Sequence, residues 1–398
     1  MSPILAAFLA VVLAATGPAG TQPESPPAPL LVPGRPSPSD SLRLSRQERA
    51  RRYYLRGREL ERTGAPAAAI VSYRLALRDD PDLPDANFRA GKLFLAVDQF
   101  GEAVAAFAAE VERHPGNTEA ARELGLGLSR LGEHERAVAQ LELLTRRAPA
   151  DGASWRALGF AYLGAGRAQD AEAALRRAVA LPPPSAAAHR DLGYVLSVTG
   201  RADAAREEYR RALAIDPREA GTWLNLGNLD RAQGDPARAL EDFRAAERSD
   251  SGLTAALRGQ ALALLDLERP EEAGATYRRL LRLVPGDLES RFAAVRLHAA
   301  LGRSDVALEL ARDGVRHDPG SADARLMLGM ALEAQGSWRD AARELRRAEA
   351  FAPDSARRAR ARGLLGTLSR QASDSLRAVF AADSAEAARA LVPARGIR

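Results

Sequence analysis

Between residues 152 and 185, apolar side chains recur at helical spacing: first Trp155, Leu158 and Tyr162, then Ala171, Leu175 and Ala178. The first three stand at i, i+3 and i+7, which lines them along one face of a helix. Polar and charged residues fill the intervening positions. Gly166 separates the two stripes, and Pro183 closes the second. The segment therefore predicts two amphipathic helices joined by a tight turn.

The same pattern returns along most of the chain. Ala69, Ala103, Ala137, Ala171, Ala205, Ala239, Ala273, Ala307 and Ala341 are spaced 34 residues apart without a slip. Prolines keep step from Pro81 to Pro353, with Ser251 the one break. Glycines do so at Gly57, Gly91, Gly125, Gly159, Gly193, Gly227 and Gly329, interrupted by Ala261 and Val295. One period in three registers describes one supersecondary unit copied nine times over 50–355, and such periods mark solenoids. A glycine inside a helix costs roughly 1 kcal/mol against alanine. Its place predicts a close helix crossing, with the register alanine twelve positions later as the small partner. Gly64, Gly132, Gly166, Gly200, Gly234, Gly302 and Gly336 fall between the two helices of a copy, where a left-handed cap favours glycine. Pro66, Pro236 and Pro270 follow at a first helical position, where no amide bond is lost.

Copy four reads Trp155, Leu158, Gly159, Tyr162, Gly166, Ala171, Leu175, Ala178, Pro183, and copy six reads Trp223, Leu226, Gly227, Gly234, Ala239, Phe243, Ala246. This resembles the tetratricopeptide repeat, whose pattern is W-x2-L-G-x2-Y, A-x3-F and P over the same period. The resemblance spans about three quarters of the chain. It implies an all-α solenoid: a right-handed superhelix of nine antiparallel helix pairs with a degenerate C-terminal capping pair. The expected divisions are a signal peptide at 1–19, a linker and the start of an N-terminal cap at 20–49, nine repeats at 50–355, and a tenth degenerate repeat and tail at 356–398.

Composition adds little to the fold and something to the setting. Of 398 residues, 46% are apolar and 27% charged, which is ordinary for folded protein. Basic side chains are arginines except Lys92, and cysteine is absent, so disulfides and thiolate chemistry are excluded. The uncharged apolar run 4–15 is followed by Gly17, Pro18 and Ala19, with small residues where a signal peptidase would cut after Ala19. The run falls well short of the ~20 residues needed to span a bilayer. Periplasmic or secreted export is the expectation, although no basic residue stands near Met1. An uncleaved membrane anchor and an untargeted leader remain alternatives. Residues 20–41 are proline-rich, which disfavours folding and reads either as an extended tether or as an inert leader.

The first helix is expected to open near Ser45 and to present Arg49, Arg52, Arg56 and Glu59 outward as an end cap. After Ser355 the pattern decays: Leu364, Leu365 and Leu368 form a partial stripe, and Leu376, Val379, Phe380, Ala387 and Leu391 another, with Ser375 in the alanine register. Arg357, Arg358, Arg360 and Arg362 form a basic cluster, suited to anionic lipid or nucleic acid or simply a solvated face.

The resemblance also implies that first helices line a concave groove where ligands lie. Carrying the family's groove positions onto this chain gives Tyr54, Arg58, Phe88, Lys92, Arg122, Arg130, Arg156, Phe160, Arg190, Tyr194, Asn228, Arg231 and Arg258 as the candidate binding residues. The strip also carries Arg51, Arg62, Leu95, Leu126, Leu224, Leu262, Phe292 and Arg296, with acids at Glu61, Asp85, Glu119, Asp266, Glu289, Asp323 and Glu333. Arginine forks grip carboxylates and aromatics hold apolar side chains, which suits an extended peptide with acidic side chains, or a partner domain. The alternative is that the arginines pair with nearby acids. Some relatives clamp a terminal carboxylate; Asn225 fits one position of that clamp, but Tyr194, Ala255 and Gly259 replace three others, and Asn225 reads more simply as a packing residue.

Nothing in the chain spells catalysis, a cofactor or a metal site. His114, His134, His189, His298 and His317 are scattered, with no two at i, i+4. A net charge of +5 and a pI near 9.9 favour phosphate contact, and helical-repeat RNA readers exist, but acids are interleaved in the groove, so nucleic acid is not the expected ligand. Copies seven and eight depart furthest from the pattern, at Gln260, Ala261, Glu268, Arg291, Val295, Ala311 and Gly314, and predict a looser joint over 254–321. The chain is thus expected to be an exported scaffold for protein–protein interaction. The second expectation is a structural subunit of a cell-envelope complex, docking by its convex face or ends.

Overall fold

A computed structural model describes residues 45–371, and those residues form nineteen helices and no strand. The expected signal segment, the linker up to residue 44, and the second stripe of the tenth repeat with Ser375 lie outside the described residues. The chain divides into two compact units, the first ending at Thr222 and the second starting at Trp223.

The first unit holds α1 (Arg46–Arg62), α2 (Pro66–Asp79), α3 (Ala86–Ala96), α4 (Phe100–Arg113), α5 (Thr118–Arg130), α6 (His134–Arg147), α7 (Gly152–Gly164), α8 (Ala168–Ala180), α9 (Ala186–Val198) and α10 (Ala202–Ile215). The division falls inside α11 (Ala220–Ala232). The second unit continues with α12 (Pro236–Ser249), α13 (Thr254–Asp266), α14 (Pro270–Leu283), α15 (Leu288–Ala300), α16 (Ser304–His317), α17 (Ala322–Ala334), α18 (Trp338–Phe351) and α19 (Ser355–Gln371). Within each unit every helix packs on its successor, and some successive first helices also touch: α5 with α7, α7 with α9, α15 with α17. The core is a strip rather than a centre, running from Ala69 through Phe107 to Leu158 in the first unit and from Ala261 through Leu345 to Leu368 in the second. Nine helix pairs followed by α19 is the all-α repeat architecture that the 34-residue period implies.

The close crossing is real, but its partner differs from the expected one. A Cβ on Gly57 would sit 2.7 Å from the Tyr73 ring; on Gly91, 2.6 Å from Phe107; on Gly193, 2.6 Å from Tyr209; on Gly329, 2.7 Å from Leu345. The glycine therefore clears space for the large residue sixteen positions on. The register alanines are fully buried, and three of them, Ala171, Ala205 and Ala341, approach the glycine through their carbonyls at 3.1–3.3 Å.

All seven turn glycines are left-handed, with φ between 70° and 80°. The two turns without glycine keep the same backbone on Asp98 (φ 58°) and Glu268 (φ 57°), which costs each roughly 1 kcal/mol or more. Pro66, Pro236 and Pro270 open α2, α12 and α14 as expected. Ser45 caps α1 in a capping box: its hydroxyl accepts from the Glu48 amide at 3.2 Å, and its own amide donates to Glu48 Oε2 at 2.7 Å. Of the outward arginines expected on α1, Arg52 and Arg56 are exposed, while Arg49 turns to Asp79 at 3.1 Å.

Several departures in copies seven and eight have defined contacts. Gly259 meets the second helix of the preceding copy: a Cβ there would lie 2.6 Å from the Phe243 ring. Gln260 is buried and donates to the Phe243 carbonyl at 3.3 Å and to Glu247 at 2.7 Å. Gly314 makes room for the buried stem of Arg291, whose Cδ would be 2.8 Å from a Cβ at that position.

Candidate functional site: the face of the first helices

In copies three to five, position five of the first helix carries an arginine that reaches toward the next first helix. Arg122 of α5 donates to Asp151 at 3.1 Å, and Asp151 itself caps α7 by accepting from the Ala153 amide at 3.1 Å. Arg156 of α7 lies 3.7 Å from Asp191 of α9. Arg190 of α9 holds Asp191 at 2.9 Å and also donates to Glu219, whose other oxygen accepts from the Thr222 amide at 2.5 Å. Burial works against the Arg190 charge, but Asp191 and Glu219 outweigh it and raise its pKa above the usual guanidinium value. These three arginines are therefore ties between successive first helices.

The second unit repeats the device. Arg258 of α13 reaches Asp287 at 2.6 Å and Ser290 at 3.3 Å, and Asp287 caps α15 through the Ser290 amide at 3.0 Å. Burial pushes the Asp287 carboxyl up, yet the Ser290 bonds and Arg258 prevail and hold it below the ordinary value. Arg231 of α11 meets Asp266 at 2.5 Å. The shared spacing of 29 residues in Arg122/Asp151, Arg190/Glu219 and Arg258/Asp287 was present in the sequence as a signal for these partners.

The other candidates are placed differently. Arg58 is exposed and makes no ion pair among the described residues; Arg130 is exposed, with its guanidinium 5.7 Å from the Phe100 ring centre. Lys92 is exposed, 5.4 Å from the Phe88 ring centre and 3.8 Å from Glu119. Phe88 itself is buried beside Phe107, at 5.9 Å between ring centres, so it is core rather than contact surface. Tyr54 packs 5.7 Å from Tyr73 and accepts from Arg89 at 3.2 Å. Phe160 and Tyr194 are half-buried on α7 and α9, and Leu126 is half-buried on α5. In the second unit Asn228 is exposed and Asn225 is buried in α11. Exposed cations and half-buried apolar side chains thus share the first-helix face of the first unit, an arrangement able to hold carboxylates and apolar groups together.

The basic cluster on α19 is engaged from within. Arg357 binds Asp323 at 2.8 Å and also Asp354, Arg358 donates to the Ala352 carbonyl at 3.2 Å, Arg360 covers the Phe292 ring at 4.7 Å, and Arg362 meets Glu349 at 2.5 Å. Among the described residues no group of three His, Asp or Glu side chains is placed to hold a metal ion, and no helix is long and apolar enough to cross a membrane.

The tetratricopeptide repeat family model matches residues 88–153, 156–220, 224–287 and 292–356. Solved structures similar to the chain include MamA (41-end) from Desulfovibrio magneticus RS-1, at 22% identity over 43% of this chain and 97% of that one, with a TM-score of 0.40. Another is pilF of Pseudomonas aeruginosa, at 22% identity over 53% and 96%, with a TM-score of 0.42. A third is YrrB, described as a TPR protein with an unusual peptide-binding site, at 24% identity over 48% and 97%, with a TM-score of 0.39. No curated protein matches the chain.

Proposed function

The chain belongs to the tetratricopeptide repeat family, and from that premise we propose that it is an exported scaffold that binds an extended, acidic peptide or partner segment along the first helices of its first unit. The observation that carries this reading is the division of labour among the basic side chains. Arg122, Arg156 and Arg190 are half-buried against Asp151, Asp191 and Glu219, whereas Arg58, Arg130 and Lys92, the last 3.8 Å from the exposed Glu119, stay exposed beside the half-buried Leu126, Phe160 and Tyr194. Cations with room to turn toward a ligand and apolar side chains between them fit a peptide in which acidic and apolar residues alternate. Export rests on the apolar run 4–15 and the small residues before Gly20.

A second reading, a structural subunit of a cell-envelope complex, is favoured by Leu55 and Val71, which are 55% and 54% exposed on the first helix pair. A pull-down from envelope extract separates the two. With Arg58→Glu, Lys92→Glu and Arg130→Glu combined, partners captured by the wild type in low salt are lost, as they are from the wild type in high salt. Retention of the same partners by the triple variant contradicts groove binding. The mass of the purified chain in the same preparation reads export: a start at Gly20 is expected, and an intact Met1 contradicts cleavage.

A further inference from the structure

Three copies carry a basic side chain at one register position of the first helix: His189, Arg291 and Arg325. In two of them a glutamate nineteen residues on, in the second helix, meets it. His189 Nδ1 lies 2.7 Å from Glu208 Oε2, and Arg325 Nη1 donates to Glu344 Oε2 at 2.9 Å. Arg325 is also tied through Nη2 to the Pro319 carbonyl at 2.7 Å. Arg291 repeats that geometry, with Nη2 2.6 Å from the Pro285 carbonyl. Nineteen residues on, however, stands Leu310, and Nη1 reaches only its backbone carbonyl, at 2.9 Å.

Arg291 is 3% exposed and makes no ion pair among the described residues; its Nε, like that of Arg325, has no hydrogen-bond partner there. Burying a charge without a counterion is unfavourable. Arg291 lines an open cavity whose other walls come from α14 and α16. Arg278, Arg282 and Arg316 stand exposed around it. Two carboxylates share the lining: Asp313, which is paired with Arg316, and Glu309. Four guanidiniums thus face two acids, and Leu281, Val306 and Leu310 add apolar wall.

We propose that this cavity, on the second-helix side of copies seven and eight, receives an acidic side chain from an aliphatic segment of a partner protein, supplying in trans the carboxylate that Glu344 supplies in copy nine. The internal comparison names the chemistry: where the chain completes this position itself, it uses a glutamate, and the aliphatic character of the segment follows from Leu281, Val306 and Leu310 in the cavity wall. The excess of cations around the cavity draws such a group in, and the apolar wall accepts its neighbours. The site is independent of the first-helix face.

The test uses the full chain carrying Arg58→Gln, Lys92→Gln and Arg130→Gln, so that the first-helix face does not contribute. The probe is a fluorescein-labelled peptide of alternating Glu and Leu, compared with its Gln/Leu counterpart and with inorganic phosphate as competitor. The Glu peptide is expected to bind at least tenfold tighter than the Gln peptide. Adding Leu310→Glu fills the position from within; it weakens the Glu peptide at least tenfold and raises the thermal unfolding midpoint. Arg278→Gln with Arg282→Gln, both exposed, weakens the peptide similarly without lowering that midpoint. Equal binding of the two peptides, or unchanged binding in the Leu310→Glu chain, overturns the proposal. Displacement of the peptide by phosphate as readily as by unlabelled Glu peptide overturns the carboxylate assignment.

Discussion

His298 is 1% exposed on α15, and among the described residues neither ring nitrogen makes a hydrogen bond of ordinary geometry. Burial lowers its pKa, and Arg278 and Arg303 add to that effect, against smaller opposing contributions from Gly274 and Asp305. The sign follows. The folded ring stays neutral where the unfolded ring, with a pKa of about 6.5, has begun to take up a proton. Stability is thus unaffected above that value and falls as the pH drops below it. Urea midpoints for the wild type should decline from pH 7.5 to pH 5 more steeply than those for His298→Leu; parallel slopes would show that the ring is protonated in the folded chain. The repeat pattern marked His298 only as scattered, because burial of a single imidazole depends on which neighbours close over it. Arg291 was equally illegible as a charge site. The sequence shows that a basic residue replaces an apolar one, but not that Gly314 gives way to its stem while Leu310 leaves it without a carboxylate.

At the scale of helices and turns, a shared period becomes a shared set of contacts. Turn glycines, opening prolines and buried register alanines were all readable, since each reflects a backbone or volume demand that every copy shares. The true partner of the packing glycine was not, because the large residue sixteen positions on varies among Tyr, Phe and Leu and so carries no fixed letter. The groove arginines were legible as residues but their partners were not: a side chain long enough to hold a peptide is also long enough to reach the cap of the next first helix, as Arg122 does at Asp151. Arg190 shows what that tie contributes. Arg190→Gln leaves Glu219 without its cation, while Arg156 still lies 3.7 Å from Asp191, and should lower unfolding stability by about 2 kcal/mol in low salt. The difference should shrink only slightly in high salt, because a pair buried to this degree is screened much less than exposed charges. A loss of peptide binding with no change in stability would instead make Arg190 a ligand contact.

For the molecule as a whole, nine copies create two kinds of surface from one unit. The first-helix face of the first unit keeps three exposed cations and a row of apolar side chains; the second-helix side of copies seven and eight holds Arg291, which makes no ion pair among the described residues. The family resemblance made the first surface a natural expectation. The second became visible only by comparing copies of the same position. Site-specific photocrosslinking in cells tests the central claim most directly. A photoreactive residue at Leu126, Phe160 or Arg130 should give partner adducts that Arg58→Glu with Lys92→Glu abolishes, while one at Val71 or Leu143, exposed on second helices of the first unit, gives none. Adducts from Val71 and Leu143 alone, with none from the first helices, would contradict the account.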